Sequence, residues 1–296
     1  AVTMVSVLTA RSRWSSCHGP NALGPSRRRG CGATMATMDI DVRGTRLSYS
    51  DSGGSGPLTV YAHGLSGSRA KEDLVRRMDY AALEAAGRRV VRYDARGHGQ
   101  SGGADVESDY TWPNLALDLI ALLDALGADE PVSAIGASMG TATILHALTI
   151  APQRFDRIVL TCPPTAWETR AAQSDLYRAS AQFAQDNGKA AYVERARSMP
   201  RPPPLADLPP EYSVPDIDEA LLPTVLRGAA ASNVPPPEAI AAVTQPTLIL
   251  AWTDDPGHPV STAERLHELI PGSQLHVSST KDQLATWGQQ AADFLR

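Results

Sequence analysis

The sequence has few cysteines and no long apolar run. It contains three cysteines, and only Cys162 lies beyond residue 34, so the body of the chain cannot form an internal disulfide. This content is typical of a reducing compartment, and we expect a cytoplasmic protein. No apolar run approaches the roughly 20 residues that a membrane-spanning helix needs, so we expect no transmembrane segment.

Positive charge is scarce in the body of the chain. The sequence has 27 basic and 32 acidic residues, which argues against nucleic acid and anionic membrane surfaces as partners. The first 34 residues differ, because they hold five arginines and no acidic residue. They show no periodic apolar face that could pack into a core. We therefore expect residues 1–37 to be a disordered or non-native leader, with a targeting peptide as the alternative.

Short apolar segments alternate with segments of helical periodicity from residue 38 onward. Hydrophobic residues make up 43% of the chain, enough for a full core. The alternation predicts an α/β fold, a mainly parallel sheet with helices on both faces. The predicted strands are 38–42, 45–50, 57–62, 88–93, 131–135, 157–161, 246–252 and 273–277, and the predicted helices are 73–86, 112–126, 141–150, 262–270 and 284–295.

The interval 166–240 interrupts this alternation. It begins with helical segments and becomes rich in proline between Pro200 and Pro210. The insertion leaves at the carboxyl end of one strand and returns before the next, at the edge where open α/β sheets carry their sites. We expect residues 38–165 and 241–296 to form the core and residues 166–240 to form a helical cap. The alternative is an insertion without fixed structure.

The segment Gly136-Ala137-Ser138-Met139-Gly140 stands between a predicted strand and a predicted helix. Its small residues permit a sharp turn that holds Ser138 in a strained conformation with its hydroxyl exposed. The helix amino terminus beneath the turn favours developing negative charge. Ser138 is therefore the candidate nucleophile, and the alternative is a tight turn with an incidental serine.

Two further turns follow predicted strands. The turn after strand 57–62 has the sequence H-G-L, and it can direct the Leu65 amide toward the space above Ser138. Acyl transfer needs two donors for the tetrahedral oxyanion, and the Met139 amide would be the second. The glycine-rich loop 94–102, D-A-R-G-H-G-Q-S-G, we interpret as structural, with catalytic use of its aspartate or histidine as the alternative.

In this order, H-G, D-x-R-G-H-G-x-S, G-x-S-M-G and D-x-x-x-P resemble the α/β-hydrolase family over residues 38–296. The chain looks most similar to the esterase, haloperoxidase-type perhydrolase and carbon–carbon hydrolase branches. The resemblance implies the α/β-hydrolase fold, with Ser138 as nucleophile. It also implies that the triad carboxylate lies four residues ahead of a proline, which here is Asp255 before Pro259. Asp254 is the competing carboxylate.

The histidine that completes the family's triad is missing from its usual place. It follows the last strand in the family, whereas residues 278–283 contain no histidine and indicate a capped helix start. His258 is the first candidate base, because it follows a strand's carboxyl end and stands beside Asp255. Its closeness to Asp255 makes it awkward for one residue to orient the other while the imidazole points at Ser138. The remaining possibilities are His276, which is otherwise a buried strand residue, and no catalytic histidine at all.

These features predict a serine hydrolase that cleaves an ester, lactone or related acyl bond in a small hydrophobic molecule. The predicted triad is Ser138, Asp255 and His258. The cap would supply apolar walls, with Trp167 and Tyr177 as candidate substrate contacts. No metal-ligand cluster, phosphate loop or dinucleotide motif occurs in the sequence, so we expect no metal and no cofactor. The alternative is a catalytically degenerate protein of the same fold that acts as a small-molecule binder or scaffold.

Overall fold

The computed structural model describes residues 36–75, 78–201 and 203–296. The predicted leader, residues 1–37, lies outside the described residues except for its last two positions. None of the helices in the described segments has the length and apolarity needed to cross a membrane.

The described residues form one sheet of eight strands. In chain order these are β1 (Thr37–Val42), β2 (Thr45–Asp51), β3 (Leu58–Ala62), β4 (Arg89–Tyr93), β5 (Val132–Ala137), β6 (Phe155–Thr161), β7 (Thr247–Trp252) and β8 (Gln274–Ser278). Their spatial order is β1-β2-β4-β3-β5-β6-β7-β8. The strands from β3 to β8 run parallel, and β1 and β2 form an antiparallel hairpin at one edge. The predicted fold class is confirmed.

Helices cover both faces of this sheet. In the described residues they are α1 (Arg69–Val75), α2 (Tyr80–Ala85), α3 (Trp112–Ala125), α4 (Met139–Ile150), α5 (Arg170–Ser198), α6 (Leu222–Ala230), α7 (Pro237–Ala241), α8 (Val260–Leu269), α9 (Lys281–Ala285) and α10 (Trp287–Phe294). Neighbouring strand residues point to opposite faces, so Ala134 joins a core with α3 and α4, whereas Ile135 joins a core with α2 and α10. The central strands are thus buried on both sides, which accounts for their continuous apolar sequences.

The helix predicted over 73–86 is wrong in its bounds. The structure has two helices there, because α1 ends at Val75 and α2 begins at Tyr80. Asp79 takes an extended conformation and its carboxylate accepts the Ala81 amide at 3.0 Å. This N-cap starts a new helix, and a capping carboxylate at this position cannot be distinguished from an interior residue by apolar periodicity alone.

A helical insertion lies between β6 and β7. Its long helix α5 bends at Gly188, whose φ of 80° is readily adopted only by glycine, and α5 packs against α6. The segment before α6 touches the carboxyl edge of the sheet through Asp216. The Asp216 amide donates to the Ser66 carbonyl at 3.1 Å, and the Asp216 carbonyl accepts from the Gly99 amide at 2.7 Å. The insertion is therefore tied to the turns that follow β3 and β4.

Candidate active site

Ser138 occupies the sharp turn between β5 and α4. Its backbone has φ 54° and ψ −111°, the strained conformation that the sequence predicts for an elbow. A Cβ on Gly136 would lie 2.5 Å from the Gly140 carbonyl oxygen, and a Cβ on Gly140 would lie 2.0 Å from the Ala62 carbonyl oxygen. Both positions therefore require glycine. Met139 is the first residue of α4, so its amide has no acceptor within the helix.

The hydroxyl of Ser138 lies against the imidazole of His258. Ser138 Oγ is 2.7 Å from His258 Nε2, and His258 Nδ1 is 2.8 Å from Asp255 Oδ2. An ionised carboxylate only accepts, so Nδ1 carries the proton and Nε2 is free to accept from the serine hydroxyl. The structure thus brings together Ser138, Asp255 and His258 in the relation that a nucleophile, a base and an orienting carboxylate require.

A tight turn explains how two residues so close in sequence can form this chain of hydrogen bonds. The His258 amide donates to the Asp255 carbonyl at 3.0 Å, and Pro256 and Gly257 lie between them. Aspartate in the first position and proline in the second are typical of a type I turn. The turn brings the two side chains together while the imidazole reaches Ser138. The objection to His258 drawn from its closeness to Asp255 is therefore removed.

The carboxylate of Asp255 is buried and fully bonded. Its Oδ2 accepts from His258 Nδ1 and also from Trp252 Nε1 at 2.9 Å, and its Oδ1 accepts from the Gly257 amide at 3.0 Å. Burial by itself raises the pKa of Asp255, but the hydrogen bonds and the charge of His258 outweigh it and lower the pKa to about 2. Asp255 is thus ionised at neutral pH. The competing Asp254 is exposed, and its carboxylate accepts from the Thr253 hydroxyl.

The end of β8 offers no base. Thr280 and Gln283 form the reciprocal bonds of a capping box, so α9 begins at Lys281 and leaves a very short loop, as the sequence predicts. His276 is exposed rather than buried, so the expectation of a buried strand residue is wrong. The reason is topological, because β8 is the edge strand of the described sheet and has a neighbour on one side only.

Two other histidines of the described chain are held by main-chain carbonyls. His98 Nδ1 lies 2.9 Å from the Arg96 carbonyl oxygen, and burial lowers the pKa of His98 to about 3. His146 Nε2 lies 2.8 Å from the Asn233 carbonyl oxygen. These contacts tie one ring nitrogen of each histidine to the main chain.

The turn after β3 approaches Ser138 closely. The Gly67 amide donates to the Gly64 carbonyl at 3.0 Å, and Ser66 has a φ of 62°, so the chain reverses sharply around Leu65. A Cβ on Gly64 would lie 3.3 Å from the Ser138 Cβ and 3.8 Å from its Oγ. Because residue 64 has no side chain, this turn can lie beside the candidate nucleophile. The turn contains the Leu65 amide that the sequence predicts as a donor.

The glycine-rich loop after β4 is bonded to the turn after β3. His63 Nε2 accepts from the Ala95 amide at 2.9 Å, which ties the two loops together. The Asp94 carboxylate accepts the Arg69 amide at 2.8 Å and the Gln100 amide at 3.0 Å. Since Asp94 is committed to these main-chain donors, the contacts agree with the structural interpretation of this loop.

The two predicted substrate contacts differ in their surroundings. Trp167 begins the insertion and is fixed to its far end, since its Nε1 donates to the Pro235 carbonyl at 3.0 Å. Tyr177 lies on α5, with the Arg170 guanidinium 5.2 Å from its ring centre. Burial raises the pKa of Tyr177, Arg170 opposes this, and the negative charge of Asp255 adds to the rise. Tyr177 is therefore within electrostatic reach of the Asp255 carboxylate.

A cavity of about 200 Å³ opens beside the turn after β3. The turn forms one wall, and Lys71, Glu72, Val75 and Tyr212 form the others. Lys71 connects α1 to the insertion, because its Nζ donates to the carbonyls of Tyr212 and Val214. The cavity is thus enclosed jointly by the core and the insertion.

Sequence reasoning missed Trp252 as a partner of Asp255. The only signal was its position as the last residue of β7, three residues before the carboxylate. Among residues 36–75, 78–201 and 203–296, no group of three or more histidine, cysteine, aspartate or glutamate side chains is placed to hold a metal ion.

Comparisons with known proteins agree with this architecture. A family model described as the alpha/beta hydrolase fold matches residues 57–282. The chain is 30% identical over 195 residues to 3-oxoadipate enol-lactonase 1 of Acinetobacter baylyi, covering 64% of this chain and 70% of that protein. It is 34% identical over 128 residues to an sn-1-specific diacylglycerol lipase of Xenopus laevis, covering 42% of this chain and only 39% of the lipase.

A solved structure gives the same result for the fold. The enol-lactonase from Burkholderia xenovorans superposes with a TM-score of 0.69 at 22% identity, covering 87% of this chain and 99% of that one. At this identity the likeness shows a shared fold. The family match over most of the chain shows that the chain belongs to the α/β-hydrolase fold family.

Proposed function

We propose that the protein is a serine hydrolase that cleaves an ester, lactone or related acyl bond through an acyl-enzyme. The observation that carries this proposal is the imidazole of His258, bonded to Ser138 Oγ at 2.7 Å and to Asp255 Oδ2 at 2.8 Å. A serine hydroxyl is a weak nucleophile unless a base accepts its proton, and this imidazole is within reach to do so.

In the proposed first step, Ser138 Oγ attacks the carbonyl carbon while His258 Nε2 takes the hydroxyl proton. Asp255 stabilises the resulting imidazolium and keeps the proton of Nδ1 in place. The amides of Leu65 and Met139 donate to the oxyanion of the tetrahedral intermediate. His258 then protonates the leaving oxygen, and the acyl group remains on Ser138. A water molecule activated by His258 releases the acid and restores the hydroxyl.

The proposed substrate class rests on the cavity beside the turn after β3 and on the comparisons. This cavity of about 200 Å³ suits a small molecule, and its walls combine Leu65, Val75 and Tyr212 with the charged Lys71 and Glu72. The similarity to 3-oxoadipate enol-lactonase 1 favours a lactone or a related small ester. Trp167 and Tyr177 stay candidate contacts on the side of the insertion. We also retain the cytoplasm as the compartment, on the basis of the cysteine content.

The scaffold alternative rests on the histidine missing after β8. The contact of Ser138 Oγ with the candidate base His258 favours the hydrolase over this alternative. A degenerate site would leave Ser138 unactivated and inert toward a fluorophosphonate probe.

The test uses the full chain and a p-nitrophenyl butyrate assay together with fluorophosphonate labelling. We expect the wild type to turn over the ester and to be labelled, and Ser138→Ala to lose both. Ser279→Ala is the matched control, because Ser279 is exposed in the loop after β8, and it should keep both. Labelling of Ser138→Ala, or a wild type inert to ester and probe, would overturn the proposal.

A further inference from the structure

The carboxylate of Asp255 has a donor that belongs to neither the turn nor the base. Asp255 Oδ2 accepts from two groups, His258 Nδ1 at 2.8 Å and Trp252 Nε1 at 2.9 Å. The other oxygen, Oδ1, accepts the Gly257 amide at 3.0 Å. Trp252 is thus the donor that shares an oxygen with the imidazole.

A hydrogen-bond donor from outside the turn matters for the Asp255 carboxylate because Asp255 and His258 lie on the same turn. When two triad members come from separate strands, the strands fix their relative orientation. Asp255 and His258 are three residues apart, so the turn alone sets their separation and leaves the carboxylate plane to be fixed by its hydrogen bonds. Trp252 ends β7 and is 1% exposed, so its N–H comes from a strand buried in the sheet rather than from the turn.

The indole of Trp252 is itself held in one orientation. The ring of Trp287 from α10 stacks on it, with centroids 5.6 Å apart and an interplanar angle of 15°. The imidazole of His258 meets it edge-on, with centroids 6.1 Å apart and an angle of 84°. Rings that are buried and packed on their faces have little rotational freedom, so the indole N–H keeps its direction toward Asp255.

We propose that Trp252 is a positioning residue for the triad, whose indole N–H locks the Asp255 carboxylate in the plane that His258 needs in order to face Ser138. The inference rests on the proposed serine-hydrolase function. Trp252 acts through Asp255 and His258 and does not touch the reacting atoms. Loss of the N–H should therefore change the rate of the chemical step and leave substrate binding as it is.

Trp252→Phe tests this, since it keeps an aromatic ring in the stack and removes the N–H. We expect kcat for p-nitrophenyl butyrate to fall about 10-fold with KM unchanged, in line with the loss of one hydrogen bond to a charged group. The second-order rate of fluorophosphonate inactivation should fall by the same factor, because it reports activation of Ser138 without a deacylation step.

Trp112→Phe is the matched control for the loss of volume from a buried indole. Trp112 is equally buried at 1% exposure, but it belongs to the core with α3 and α4, on the face of the sheet opposite to the core that contains Trp252. We expect a similar drop in melting temperature in both variants and a kcat near that of the wild type in Trp112→Phe. Equal losses of kcat in the two variants, or an unchanged kcat in Trp252→Phe, would overturn the inference.

A measurement on the wild type covers the case in which Trp252→Phe does not fold. With ¹⁵N-labelled tryptophan, phosphonylation of Ser138 should shift the indole N–H resonance of Trp252 more than that of Trp287, because the charge on His258 changes beside the shared oxygen. An unshifted Trp252 resonance contradicts the positioning role. If the wild type reacts with neither ester nor probe, the proposed function fails and this inference fails with it. If the wild type is active but the indole resonance of Trp252 does not shift, only the inference is overturned.

Discussion

Replacement of His258 by alanine tests whether this residue, and no other histidine of the described chain, acts as the base. The imidazole is the group that Ser138 Oγ contacts at 2.7 Å, so its removal leaves the hydroxyl without an acceptor for its proton. A general base contributes about 10²–10⁴-fold to a rate, and we expect kcat to fall by that factor. Residual turnover would come from the oxyanion donors and from substrate binding.

The fold should survive this substitution. The His258 side chain is 22% exposed, and Asp255 keeps its bonds from Trp252 and from the Gly257 amide after the imidazole is gone. Only one hydrogen bond to the carboxylate is lost, which corresponds to about 2 kcal/mol of unfolding free energy. The expected loss of rate is therefore far larger than any loss explained by partial unfolding.

The assay is steady-state hydrolysis of p-nitrophenyl butyrate across pH, with thermal unfolding followed by circular dichroism. His276→Ala is the control, because it removes the same side chain from an exposed position on β8 and should leave kcat and melting temperature close to those of the wild type. A His258→Ala variant with wild-type kcat and the same acid limb would refute the reasoning. So would a His276→Ala variant that is folded and equally impaired.

Four further predictions concern Asp255, the elbow at Ser138 and the turn after β3. Asp255→Asn should lower kcat by about 10³–10⁴-fold, because an amide can hold the imidazole in the wrong tautomer; an active variant would contradict this role. The pKa of Asp255, lowered to about 2, lies below its usual 3.8, so the ionised carboxylate adds about 2 kcal/mol of stability above pH 4 that is lost as pH falls through about 2. Melting temperatures of wild type and Asp255→Asn should converge over that range, and parallel curves would refute it. Gly140→Ala should unfold at much lower urea concentration, since its Cβ would lie 2.0 Å from the Ala62 carbonyl oxygen, and an unchanged midpoint would contradict the elbow geometry. Asp216→Ala should lower kcat about 5- to 10-fold by removing the acceptor of the Ser68 hydroxyl, which lies 2.5 Å away, and wild-type kcat would show that the turn after β3 needs no such support.

Sequence patterns predict the parts of the site that are formed by residues close together in the chain. Glycines flanking Ser138 between a strand and a helix predicted the elbow, and the structure has it with a φ of 54°. The turn from Asp255 to His258 is equally local, since its Asp-Pro-Gly-His sequence is typical of a tight turn. Turn chemistry of this kind, more than the three-residue spacing, indicates that the two side chains can bond to each other.

Features that depend on which elements become neighbours could not be predicted in the same way. Trp252 and Trp287 are far apart in sequence and meet only because α10 packs on the face of the sheet near the end of β7. The exposure of His276 follows from the place of β8 at the edge, which strand periodicity does not encode. The contacts of the Pro-rich insertion with the core likewise depend on single residues such as Asp216.

The strand order explains why a base after β7 can serve Ser138. Ser138 follows β5, and the order β5-β6-β7-β8 puts the end of β7 roughly 10 Å away and the end of β8 roughly 14 Å away, at about 4.8 Å per strand. A base after β8 would need a loop long enough to reach back across two strands, and α9 begins only three residues after Ser278. A turn at the end of β7 starts one strand closer, so a residue there needs no long loop. The acid and the base can then share that turn if another group fixes the orientation of the carboxylate. In the arrangement that we propose, the indole of Trp252 does this in place of a second loop.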